Sequence, residues 1–162
     1  YLTNLIPKKY KIPFSKKIIR IDHVLSSFFR GKFIISLFLI VYYSSLLSLI
    51  NIDGALSIGA IIGVLSFIPY LGTILGLVLA LSFSILQVGS FISVFYVILI
   101  FTLGQIIESY ILEPKFISKS VGLHPLIGMF AILAGGAAFG VIGVLLSIPI
   151  TAVIAVILFE KE

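Results

Sequence analysis

The stretch IGVLSFIP at residues 62–69 returns 80 residues later as IGVLLSIP at residues 142–149, and both copies lie deep in apolar sequence. Proline frees a backbone carbonyl that lipid cannot satisfy, so a broken helix persists in a membrane only where it faces protein or a water-filled cavity. Apolar segments interrupted by Gly and Pro at corresponding positions indicate a transporter's substrate path. Six of the eight positions match. Chance similarity is common in sequence this rich in Ile, Leu, Val and Gly, so the match leaves internal duplication open.

The composition around these blocks excludes a water-soluble globule. Hydrophobic residues make up 60% of the 162-residue chain and charged residues 10%, and the mean hydropathy is +1.31. Ordinary globular domains carry about 25% charged residues, which cover their surface. We therefore predict an all-α fold, a polytopic transmembrane helical bundle with broken or re-entrant helices. The chain has no Cys, which removes disulfides, metal-thiolate sites and thiol nucleophiles from consideration.

Basic residues are concentrated at the start of the chain. Eight of the eleven Lys and Arg residues lie in the first 32 positions, against a single acid, Asp22. Cytoplasmic segments beside membrane spans carry such an excess, so we predict a basic, amphipathic cytoplasmic segment at residues 1–32 and a transmembrane domain at residues 33–162. The adjoining apolar sequence already explains the charge, and we expect no nucleic-acid partner.

The transmembrane domain divides into about six apolar segments, at residues 33–50, 55–69, 73–87, 91–112, 123–134 and 139–158. The second has only 15 residues, about 22 Å as a helix against a hydrocarbon core of about 30 Å. Segments two and three either both cross or form one re-entrant hairpin from the outer face. Lys115 and Lys119 follow the fourth segment, which must then end inside, and we predict that both termini of this chain are cytoplasmic.

Breaks within these segments are expected where Pro and Gly interrupt apolar sequence. The break after the first block, from Pro69 to Gly72, and the break at Gly135-Gly136 are predicted to line a solute path. Tyr70 either gates a re-entrant tip or fills a gap in the bundle. Pairs of glycines four residues apart, such as Gly59 with Gly63, suit close helix packing or a hinge. The helix-break or gate candidates are Pro69, Tyr70, Gly72, Pro125, Gly135, Gly136 and Pro149.

Glu108 is the only acid placed inside an apolar segment rather than at its edge, and intramembrane acids usually serve a function. At helical spacing Thr102, Gln105 and Ser109 share one face, with Glu108 flanking it. A carboxylate that exchanges a proton for Na⁺ or a polar solute, beside the neutral amide of Gln105, would suit a transport path or ion coupling. The alternative is that Glu108 extends to the cytoplasmic interface, about one turn away.

His124, beside Pro125, is a further candidate. A histidine there can relay protons near neutral pH, or it can bond to backbone at a helix entry. No second His, Cys or acid lies near it at metal-ligand spacing, so we expect no metal site. The sequence has no phosphate-binding glycine loop and no paired acids, and its two His residues are about a hundred positions apart. We therefore expect neither enzyme activity nor a cofactor.

Four motifs in order resemble one family. They are FIPYLG at residues 67–72, QIIESYILEP at 105–114, GLHPL at 122–126 and GVIGVLLSIP at 140–149, preceded by IDHVL at 21–25 and RGK at 30–32. Together they resemble the autoinducer-2 exporter family of bacterial permeases, over nearly the whole chain but only the C-terminal half of a usual member. The resemblance implies secondary transport in the bacterial cytoplasmic (inner) membrane. Some members export the quorum-sensing signal autoinducer-2, and others exchange sodium or lithium for protons.

From these observations we predict a permease that exports a small polar solute, coupled to a proton (H⁺) or sodium (Na⁺) gradient, embedded in the lipid bilayer as a homo-oligomer. A Na⁺(Li⁺)/H⁺ antiporter of the same family is the first alternative. The second is a truncated, non-transporting protein that only packs with membrane partners. The chain opens on Tyr1 rather than Met, and we expect it to be part of a longer chain.

Overall fold

The chain is built from helices. The computed structural model describes residues 8–68, 70–118 and 125–159, and places side chains at 18–68, 70–87, 89–117 and 126–157. The α-helices are α1 Lys8–Leu49, α2 Ala55–Leu65, α3 Leu71–Phe83, α4 Phe91–Ile107 and α5 Pro125–Phe159, and no strand occurs in the ranges just given. Three stretches are long and apolar enough to cross a membrane: Ile18–Leu49, Phe91–Ile117 and Leu126–Ile157. The predicted all-α transmembrane bundle is confirmed.

The chain divides into two compact units. One comprises Tyr1–Phe29 with Ser120–Glu162, and the other comprises Arg30–Lys119. In the second unit, α1 presents one buried stripe, because its buried residues recur every three or four positions as one helical face requires. These residues are Lys32, Ile35, Ser36, Leu39, Tyr43 and Leu47. Between them Phe33, Leu37 and Val41 are exposed, as suits a surface covered by lipid.

In the same unit, α2 and α3 form a tight hairpin. The chain turns after Leu65, and Tyr70 adopts a left-handed conformation with φ 64° just before α3 begins. At the open end of the hairpin, the backbone N–H of Asp53 donates to Oε1 of Gln87 at 3.0 Å. α2 has 11 residues, about 16 Å, which is short of the roughly 30 Å hydrocarbon core. α2 and α3 therefore pack as a helical hairpin in which α2 is shorter than the hydrocarbon core.

Glycines bring the helices of this unit into close contact. A Cβ on Gly63 would lie 2.8 Å from the carbonyl oxygen of Ser36, and one on Gly59 would lie 3.0 Å from that of Ile40. On α3, a Cβ on Gly72 would lie 2.6 Å from the carbonyl oxygen of Ile62. Any larger side chain at these positions would push the backbones apart. Gly59 and Gly63 therefore serve packing, with α2 lying directly against α1.

α4 continues past Ile107 in two wider turns. The π-helical turns Glu108–Leu112 and Pro114–Ser118 continue the helix that α4 begins. Pro114 has no N–H to donate to the preceding turn, which disfavours regular α-helix around it, and a widened turn accommodates the missing bond. The widening begins at Glu108.

In the first unit, α5 does not break at Gly135-Gly136 as expected, because both residues remain helical. The break lies at Gly140, with φ 61° and ψ −141°, a conformation that is essentially restricted to glycine. A Cβ on Gly135 would lie 2.6 Å from the carbonyl oxygen of Gly143, whereas residues eight apart in a straight helix are about 12 Å apart. α5 is thus two helices joined at Gly140, so Leu126–Ile157 qualifies as a span by length and composition but is not one straight rod. Gly135 makes the close contact across the bend.

Candidate functional site

A buried lysine marks the centre of the candidate site. Lys32 is only 1% exposed, and its Nζ donates to the carbonyl oxygen of Ser66 at 3.2 Å and to Oε1 of Glu113 at 3.1 Å. Lysine is almost never fully buried without a partner. One ammonium therefore joins α1, the end of α2 and the segment that follows α4. Ser66 and Glu113 lie 34 and 81 positions after Lys32 in the sequence.

The local sequence explains how Lys32 reaches the end of α2. Lys32 and Ser36 are four residues apart on α1 and so lie one above the other on the same face. Ser36 donates to the carbonyl oxygen of Gly63 at 2.6 Å, and Ser66 donates to the same oxygen at 2.7 Å. The last carbonyls of a helix have no partners within it. Two side chains of α1 thus satisfy part of the buried C-terminal end of α2.

Glu108 lies on the inner side of the same unit. Its side chain is 8% exposed, on the face of α4 that also carries Val97, Phe101 and Gly104. Glu108 begins the widened turn that is followed by Glu113, the carboxylate paired with Lys32 at 3.1 Å. We call Lys32, Glu108 and Glu113 the charge cluster.

Two buried hydroxyls of α1 have no hydrogen-bond partner among the placed side chains. Tyr43 is fully buried, and its hydroxyl, like that of Ser44, is unpaired among the residues whose side chains are placed. The Tyr43 ring lies 4.7 Å from that of Phe101, and its hydroxyl approaches Gly104, one helical turn before Glu108. Buried polar groups are normally paired, and an unpaired one calls for a water, an ion or a ligand.

The predicted polar stripe on α4 is divided between two places. Thr102 and Gln105 line an open groove of about 340 Å³ between α3 and α4, together with Thr73 and apolar side chains. Gln105 donates to Ser109 at 3.0 Å, and Thr102 donates to the carbonyl oxygen of Ile98 at 2.8 Å. Glu108 is not among the residues that line this groove. The neutral residues and the carboxylate therefore belong to different surfaces of one helix.

The break candidates also lie in different settings. Tyr70 is 67% exposed at the start of α3, and Gly72 is buried against α2. Pro149 lies inside α5 and does not end it. Pro125 is the first residue of α5. His124 and Pro69 fall outside the described residues, and the part of the chain that is described contains no cluster of three or more His, Cys, Asp or Glu residues for a metal.

Sequence reasoning missed Lys32 and Tyr43. Lys32 was counted only as one of the basic residues that orient the chain, and Tyr43 only as part of an apolar span. A signal was present, because Lys32 continues the periodic face formed by Ile35, Leu39 and Tyr43. A lysine in phase with a buried apolar stripe is a candidate for a buried cation.

Comparison with known proteins identifies the family. The model of the AI-2E family transporters matches residues 1–161. The chain belongs to this family. Among AI-2E relatives, the candidate transport protein YrrI of Bacillus subtilis (strain 168) is 32% identical over 156 residues, which are 96% of this chain and 44% of that protein.

Two further AI-2E relatives show the same pattern of coverage. The candidate transport protein YueF of Bacillus subtilis (strain 168) is 24% identical over 93% of this chain and 40% of its own length. The candidate transport protein MT0215 of Mycobacterium tuberculosis (strain CDC 1551 / Oshkosh) is 29% identical over 76% of this chain and 33% of its own length. The chain thus spans less than half the length of these AI-2E relatives.

Proposed function

We propose that this chain forms the solute path of a permease that exports a small polar solute, such as a quorum-sensing signal, from the bacterial cytoplasm. The proposal rests above all on one observation, the burial of Glu108 within the charge cluster and beside the unpaired hydroxyl of Tyr43. Ionisable groups held inside a membrane are costly, and they mark ion and substrate pathways.

Coupling to an ion gradient follows from the same group. A carboxylate near other charged groups can be protonated in one state. In another state it can bind a sodium ion or accept a hydrogen bond from the solute. Because this exchange uses one carboxylate, solute export driven by H⁺ or Na⁺ and Na⁺(Li⁺)/H⁺ antiport both depend on Glu108. In this proposal the protein lies in the cytoplasmic membrane, acts as a homo-oligomer and has both ends of this chain in the cytoplasm, in line with its basic N-terminal residues.

The test is flux in reconstituted vesicles. We expect vesicles containing the 162-residue chain to release autoinducer-2 or take up radioactive sodium faster than empty vesicles. Glu108→Gln, which removes the charge and keeps the shape, should lower the flux at least about tenfold, the scale of 1.4 kcal/mol or more in the barrier.

Asp53→Asn is the matched control, because Asp53 is an exposed acid in the turn before α2. It should change the flux less than about twofold, well below 1 kcal/mol. Flux equal to that of empty vesicles for both probes would refute transport by this chain and favour a membrane-assembly role. Wild-type flux from Glu108→Gln would refute the role of the carboxylate.

A further inference from the structure

The ammonium of Lys32 has the surroundings of a bound cation. Its Nζ touches a backbone carbonyl oxygen, that of Ser66, and a carboxylate oxygen of Glu113, at 3.2 and 3.1 Å. Carbonyl and carboxylate oxygens are also the ligands that hard metal cations take in proteins. The side chain is 1% exposed, so the charge is held inside the protein.

The end of α2 provides a second reason for positive charge at this place. The C-terminal end of a helix carries about half a negative charge, spread over its unpaired carbonyls. The carbonyl oxygen of Gly63 already accepts from Ser36 and Ser66, and that of Ser66 is turned to Lys32. One ammonium therefore faces a helix end and the carboxylate of Glu113.

We propose that the Ser66 carbonyl and the Glu113 carboxylate form a binding site for a small monovalent cation, and that Lys32 occupies this site as a covalently attached ion. The aliphatic chain of Lys32 carries the ammonium from α1 into the site. A free cation of similar size would bind the same oxygens if the ammonium were absent. The inference goes beyond the proposed function and does not require transport, so a failed flux assay leaves it standing.

Loss of the attached charge should open the site to free ions. In Lys32→Met the unbranched apolar side chain fills the space of the lysine stem and leaves the oxygens of Ser66 and Glu113 without their cation. Sodium, lithium or methylammonium, each small enough to enter, should then bind and stabilise the folded state, since a ligand that binds only the folded form raises stability with its concentration. Choline, which is too bulky, should not.

The experiment measures the midpoint of thermal unfolding, Tm, of the purified chain in detergent, at one ionic strength and at about pH 8, with sodium, lithium, methylammonium or choline chloride. Wild type should give the same Tm in methylammonium and in choline to within about 1 °C, and any difference with sodium or lithium in wild type belongs to the coupling proposed at Glu108. Lys32→Met should melt about 5 °C higher in at least one of the three small-cation salts than in choline, the shift expected from a ligand well above its dissociation constant.

Two further variants connect the effect to the site. Lys32→Met combined with Glu113→Gln removes a ligand charge and should lose most of the salt difference. Lys115→Met, which removes an exposed lysine, should show none. Equal Tm of Lys32→Met in all salts, failure to fold in every salt, or a salt difference that survives Glu113→Gln would each overturn the proposal.

Discussion

The two similar blocks at residues 62–69 and 142–149 have different surroundings in the folded chain. In the first, α2 ends at Leu65, and α1 supplies Ser36 and Lys32 to its last carbonyls. In the second, the helix runs on through Pro149, and the glycine of the block packs against Gly135, across the bend at Gly140. Both blocks use their glycine for a close contact with backbone. Similar sequence blocks can therefore lie at the end of one helix and inside another.

The largest effect is expected from placing a large side chain at Gly63, where α2 contacts α1. Gly63→Leu would place a Cβ 2.8 Å from the carbonyl oxygen of Ser36 and drive the side chain into Ile40. We expect the free energy of unfolding to fall by about 3 kcal/mol, the upper range for overpacking, measured by denaturant titration in micelles.

Val64→Leu is the control for this prediction, since Val64 is 65% exposed on the same helix. It should change the free energy of unfolding by less than about 0.5 kcal/mol. Equal effects of the two substitutions would show that α2 does not depend on its contact with α1, and would remove the difference between the blocks.

The second block depends on a bend that precedes it. Gly140→Ala forces a Cβ onto a backbone with φ 61° and ψ −141°, which should cost about 1 to 3 kcal/mol of unfolding free energy. Gly128→Ala, on the same helix and with nothing within 4 Å of a Cβ, should be neutral or stabilising by up to about 1 kcal/mol because Ala is the better helix former. Destabilisation by Gly128→Ala as large as that by Gly140→Ala would contradict the assigned bend.

The smallest effects are expected from removing single hydrogen bonds, one between two helices and one within a helix. Ser36→Ala removes the 2.6 Å hydrogen bond from α1 to the carbonyl oxygen of Gly63 and should cost about 1 kcal/mol. Ser147→Ala removes a 2.7 Å bond to Val144 of its own helix and should cost about 0.5 kcal/mol or less. Denaturant titration would measure the loss of unfolding free energy for both substitutions. A larger loss for Ser147→Ala than for Ser36→Ala would show that the hydrogen bond in the second block contributes more to stability.

Much of the fold was predictable because composition decides it. An uncharged run such as residues 33–50 can satisfy its backbone in lipid only as a helix, whatever packs against it. The position of the bend in α5 was not predictable in the same way. Gly135, Gly136 and Gly140 are equally permissive in sequence, and the contact of Gly135 with Gly143 decides which of them turns.

The site was predictable only in part. Glu108 was singled out because an acid within an apolar run is conspicuous; the structure places it among the buried residues, and its role in transport is a proposal. Its separation from Gln105 depends on which face of α4 meets α1, and that face is set by the approach of Gly104 to Tyr43. The burial of Lys32 depends on partners 34 and 81 positions away. Local periodicity contains no information about such distant partners.

The bond between Asp53 and Gln87 has a mechanical consequence. It ties the two chain ends of the α2–α3 hairpin together, and the opposite end of the hairpin is held by Lys32 at the carbonyl of Ser66. The hairpin is therefore fastened at both of its ends. Asn51, Gly54 and Gly89, beside the first of these ends, have positive φ values of 56°, 75° and 60°, a region in which glycine is not strained.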